Sequence, residues 1–165
     1  MLRPLRRRHA VRPSTHLPAR TDGLPPDLDG FAARFVACHI PKAEWTHLAH
    51  LTIGMWHVQM YGPNEALTRL RDGIRRLNDS HGTPNTETSG YHETVTRAYV
   101  VLLSQFLEAC PRTTTLAERV AVLLAGPLAD RSVLLRFYST ELLMSALARA
   151  EWMEPDLAPL QIALG

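Results

Sequence analysis

Trp45-Thr46-His47-Leu48-Ala49-His50-Leu51-Thr52-Ile53-Gly54-Met55-Trp56-His57-Val58-Gln59-Met60-Tyr61, followed at once by Gly62-Pro63, is the stretch that decides the fold. Its apolar residues recur at helical spacing and cover almost the whole circumference, the mark of a helix buried on most sides. One stripe is polar. At about 100° per residue, His47, His50, His57 and Tyr61 fall within roughly one quadrant, with Glu44 at its border. A central helix with one polar stripe predicts an internal cavity, and Gly54 leaves room beside the imidazoles. Pro41 suits the first turn of this helix and Gly62-Pro63 ends it.

The neighbouring segments also read as helices. Asp27 or Asp29 caps a short one with Phe31, Phe35 and Val36 on its inner face, ending near Cys38-His39-Ile40. Asn64 opens a helix whose core face is Leu67, Leu70, Ile74 and Leu77, while Arg69, Arg71, Asp72, Arg75 and Arg76 read as a solvated surface. A polar loop over 80–90 precedes a helix from Ser89-Gly90 to about Cys110. Thr115-Leu116-Ala117-Glu118 is a capping box, closed by Gly126-Pro127. A short helix near 130–137 and a longer one over 139–151 complete an all-α, single-domain bundle over 27–165.

Composition sets the outer limits. The chain has 165 residues, 45% hydrophobic and 21% charged, enough for one domain with a real core. Six of its 18 basic residues (Arg3, Arg6, Arg7, Arg8, Arg12, Arg20) lie in 1–20, where no acid occurs. The remaining 12 stand against 16 acids, so the body carries a net −4. Residues 1–26 are expected to form a disordered basic tail, and nucleic acid is not an expected partner of the body. Two distant cysteines, Cys38 and Cys110, form no framework, and a reduced cytoplasmic compartment is expected. No apolar run reaches the ~18 residues of a membrane span.

The candidate site joins the stripe to Tyr91-His92-Glu93-Thr94. His47 and His50 are three apart on one face, which lets two imidazoles converge on one ion. If helices two, three and four run up, down and up, His92 lies at the same end of the bundle and supplies a third ligand. Three nitrogens with open positions are the arrangement of a catalytic metal site. Glu93 and Glu44 are candidate acid/base or orienting carboxylates, and Tyr99, seven after His92, is a candidate substrate contact. His57, Tyr61, Tyr91 and Glu141 are candidates around the pocket. Glu44-x-x-His47 has di-iron spacing, but no second copy exists, so a mononuclear Fe, Cu or Zn centre fits better.

The segments Trp45 to Leu51 and Ser89 to Thr96, with Tyr138-Ser139, Ala148-Arg149 and Pro155-Asp156-Leu157, resemble a functionally uncharacterised family of small helical bacterial proteins. Its members carry an aromatic-x-His-x-x-His segment followed by Tyr-His-Glu-Thr. The resemblance spans residues 31–160 and implies that His47, His50 and His92 act as one constellation. It implies no activity.

Two expectations follow. The first is a soluble metal-dependent enzyme acting on a small organic substrate that enters past the 80–90 loop, by redox chemistry with Fe or Cu, or hydrolase or lyase chemistry with Zn. The second is a non-enzymatic ligand-binding or protein-interaction module with a metal-free polar pocket. A homodimer is compatible with either.

Overall fold

The computed structural model describes residues 27–162. The basic tail expected over 1–26 lies outside the described residues. Every regular element within them is helical: α1 (Leu28–Val36), α2 (His47–Ser80), α3 (Glu93–Ala109), α4 (Leu116–Ala125), α5 (Thr140–Leu143) and α6 (Ala146–Ala150), with 3₁₀ turns at Pro127–Ala129 and Val133–Arg136. None of these helices is long and apolar enough to cross a membrane.

Asp27 caps α1 by accepting from the Gly30 amide at 2.9 Å. Phe31 and Phe35 go inward as expected, but Val36 is 53% exposed. The helix closes with the His39 amide on the Arg34 carbonyl at 2.8 Å and the Cys38 amide on Phe35, a Schellman-type end. Cys38 takes φ 56° there, a position glycine usually fills.

Pro41 does not start α2. Residues 41–45 make one tight turn, with the Glu44 and Trp45 amides on the Pro41 carbonyl, and Thr46 caps the helix by accepting from Ala49. Thr46 is a better cap than anything upstream, so the helix begins six residues later than Pro41 implies. Glu44 is therefore not on the histidine stripe.

α2 is really a hairpin of two helical arms. Gly62 sits at φ 75°, ψ 166°, a conformation essentially reserved for glycine, and Pro63 follows it. The chain reverses there, so the arm over 63–80 packs back along the arm over 47–61. Gly73 lets α1 approach: a Cβ there would lie 2.4 Å from the Phe35 ring. α3 lies against both arms and is the chief partner of α2. His47 packs on Tyr99 and Gly54 against Leu103, so the first arm and α3 run in the same direction. Ile53, Met55, Leu77, Leu102, Leu103 and Leu123 form the centre of the core.

α4 opens with the expected capping box, Thr115 with Glu118. The long final helix does not form. Ser145 interrupts it, donating to the Leu142 carbonyl at 2.8 Å and accepting from the Ala148 amide at 3.0 Å, which gives two short helices. The C-terminal segment is held by Gln105, which donates to Leu160 and accepts from Ile162.

Gly62→Ala is expected to cost about 1–3 kcal/mol, because the open space around Gly62 does not relieve a forbidden backbone angle. Urea unfolding measures it, and an unchanged midpoint would contradict the hairpin.

Candidate functional site

The polar stripe and the Tyr91-His92-Glu93-Thr94 segment do not meet in one centre. His47 and His50 line a cavity of about 100 Å³ between the two arms of α2 and α3. Leu51, Leu70, Ile74, Val95 and Leu103 give it apolar walls, with Tyr99 and Thr96 as further polar groups. Gly54 borders it too, although the Leu103 methyl occupies the space a Cβ would take, at 2.8 Å. A cavity of this size holds about three waters or one small organic group.

The two imidazoles differ. His47 packs edge-on to Tyr99 with ring centroids 5.6 Å apart. Its Nε2 is buried with no hydrogen-bond partner among the described residues. Burial and the Arg131 charge hold its pKa below the ordinary histidine value, against the backbone of Ala129 and the charge of Asp130. His50 lies 3.9 Å from the Trp45 ring centroid. It is densely surrounded yet exposed to solvent, because it borders a concavity. Its crowded surroundings, His47 and Arg131 all lower its pKa. Burial pushes the Tyr99 phenol up to about 12. At neutral pH all three groups are uncharged.

His92 is not a third ligand. It is the N-cap of α3, with φ −139° and ψ 109°, and not part of its first turn. Nε2 lies 2.8 Å from the Leu143 carbonyl, so it carries the proton; Nδ1 is bare and accepts from the Val95 amide at 3.3 Å. No lone pair remains for a metal. Among the described residues no group of three or more His, Cys, Asp or Glu side chains could hold a metal ion. The parallel packing does bring His92 to the same end as His47 and His50, but its ring turns toward the α5 end.

The rest of that segment is equally committed. Glu93, 7% exposed, receives a bidentate pair from Arg71, Nε to Oε2 at 2.9 Å and Nη2 to Oε1 at 2.6 Å. The buried Tyr91 hydroxyl donates to the same Oε2 at 2.9 Å. Thr94 donates to the Glu151 carbonyl at 2.7 Å and accepts from the Met153 amide at 3.0 Å. Four consecutive side chains thus tie the start of α3 to the second arm of α2 and to the ends of α5 and α6. Arg149 donates to the Gly90 and Tyr91 carbonyls at 3.2 Å.

The remaining candidates lie elsewhere. Glu44 pairs with Arg34 at 2.7 Å on the surface. Glu141 is exposed in the first turn of α5. His57 is buried, shares the stripe with His50, but lines a different groove with Tyr61. The 80–90 loop does not border the His47 cavity; Asn85 fastens it by bonds to Asn78, Arg75, Asp79 and Tyr91. Arg71 was hidden in the sequence among exposed arginines. Only its contact with Glu93 in space, across 22 residues of chain, reveals it.

Comparison with family models gave no match, and neither curated proteins nor solved structures matched the chain.

Burial pushes the Glu93 carboxyl up, but hydrogen bonds from Arg71 and Tyr91 and the Arg71 charge outweigh it, and the pKa lies below the ordinary value. Its contribution is therefore full above the ordinary carboxylate value and disappears as pH falls through the lowered one. Glu93→Gln is expected to cost about 1.5–3 kcal/mol near neutrality and to flatten the acid limb of the stability curve. A pH series of denaturant melts checks both.

His92 gives a second prediction. His92→Ala is expected to destabilise α3 by about 1 kcal/mol, whereas His92→Asn, which can still cap, recovers most of that loss. Equal losses in thermal melts would point to a role other than capping.

Proposed function

We propose that this chain is a helical binding module whose cavity between the arms of α2 and α3 takes a small, mainly apolar molecule bearing one hydroxyl group. The observation that carries the reading is the His47 Nε2, buried beside a mainly apolar cavity with no hydrogen-bond partner among the described residues. Such an orphan atom costs free energy that a ligand's hydrogen bond would recover. A hydroxyl suits it whichever tautomer His47 adopts, because a hydroxyl both donates and accepts. Uncharged imidazoles and a raised Tyr99 phenol favour a neutral ligand over an ion. Small-molecule sites commonly combine apolar walls with a few placed polar groups.

The enzymatic reading draws less support. Among the described residues His47 and His50 have no third ligand, and no carboxylate borders the cavity to orient or relay a proton.

Titration with n-butanol and phenol, followed by amide NMR, tests the proposal. The expected result is millimolar binding, about −4 kcal/mol, with shifts centred on Leu51, Gly54, Thr96 and Tyr99. Butane-sized hydrocarbons should bind more weakly, and His47→Phe should abolish the preference for the alcohol. Scattered shifts, or equal binding of alcohol and hydrocarbon, would overturn the reading. A Co²⁺ titration adds a separate arm: visible bands that vanish in His47→Ala would replace it with metal binding at His47 and His50.

A further inference from the structure

The reversal at Gly62 opens a second concavity, a groove of about 550 Å³ between the end of α1 and both arms of α2. Phe35 and His57 form its floor, Tyr61 one wall, and Arg69, Arg75 and Arg76 its rim. Asp72 is the one carboxylate among the residues that line it, against three arginines. Arg69 is partly spoken for: it pairs with Glu65 at 2.8 Å and lies over the Tyr61 ring at 4.2 Å. The Arg75 guanidinium lies 4.6 Å from the Tyr91 ring centroid. Neither Arg75 nor Arg76 has an ion pair among the described residues.

His57 supplies the second observation. Only 1% of it is exposed, and its Nδ1 lies 2.8 Å from the Ile53 carbonyl. A carbonyl only accepts, so Nδ1 carries the proton and Nε2 is a bare acceptor. That nitrogen has no hydrogen-bond partner among the described residues, in a side chain that borders the groove. The groove therefore pairs cations at its rim with a lone proton acceptor at its floor. It also has uncovered apolar surface, with Val36 53% and Tyr61 40% exposed.

A carboxylate or sulfate would satisfy the arginines but brings no proton for Nε2. A phosphate monoester brings both below its second ionisation, near pH 6, where the monoanion keeps one P–OH. We propose that this groove binds a small organic phosphate monoester, with its phosphoryl oxygens on Arg75 and Arg76, its P–OH donated to His57 Nε2, and its apolar body over Val36 and the Tyr61 edge. Arginine forks match phosphate oxygens in a way that a point charge does not. The site is separate from the His47 cavity, and neither depends on the other.

Phenyl phosphate and phenyl sulfate are the probes at about pH 5.5, where both are mainly monoanions and share a ring, so that they differ in the available proton. Trp56 is the reporter, because it packs against both His57 and Tyr61 at 5.0 and 5.8 Å. Phenyl phosphate is expected to bind at least about tenfold more tightly than phenyl sulfate, the worth of one charge-assisted hydrogen bond. Arg76→Ala should weaken it by about tenfold, while Arg112→Ala, on a distant exposed loop, should not. Both positions are exposed, so the fold tolerates either change. The ¹⁵N signal of His57 Nε2 should move on binding phenyl phosphate. Equal affinity for phosphate and sulfate, an unmoved His57 signal, or equal losses in the two arginine variants would overturn the proposal.

Discussion

The Arg71–Glu93 pair is the constraint on which the bundle's arrangement turns. A carboxylate this buried is costly unless fully bonded, and here three donors converge on its two oxygens. That requirement fixes the second arm of α2 against the first residue of α3. With the hairpin at Gly62 already setting one arm against the other, the position of α3 along both arms follows. The cavity containing His47 and His50 is the space left where those three helices meet. The ion pair stands at its edge, beside Leu70 and two residues before Val95, which both line the cavity.

The Tyr91-His92-Glu93-Thr94 segment acts as a junction. Its side chains reach α2, α5, the end of α6 and the chain beyond it, and each bond removes a polar atom that burial would otherwise strand. Polar residues concentrated at a helix start look like chemistry in a sequence because catalytic groups and junction groups share the same atoms. They differ in whether a lone pair is left over. His92 has none to spare; His47 Nε2 and His57 Nε2 have no hydrogen-bond partner among the described residues.

Most of the fold was legible in the sequence, because hydrophobic spacing, the stop at Gly62-Pro63 and the Thr115–Glu118 box are local signals. The parallel course of the first arm and α3 also followed from counting reversals. Boundaries moved where a side chain offered a competing bond: Thr46 delayed α2, His92 delayed α3, and Ser145 divided the last helix. The site was legible only in part. His47, His50 and Tyr99 do meet, since helical spacing alone brings the first two to one face. Glu44, Glu93, His92 and Glu141 do not join them, because their partners Arg34, Arg71, Leu143 and solvent are set by tertiary contacts that no spacing rule encodes. Arg71 looked like any other cation on an exposed face.

The hairpin of α2 carries a kinetic consequence. A single residue joins its two arms, so bringing them together closes almost no loop and costs little chain entropy. Contacts near the reversal, at short sequence separation, can form before any partner helix arrives. The α2 hairpin is thus the natural nucleus, with α3 condensing onto it as Glu93 finds Arg71, and the short C-terminal helices consolidating last.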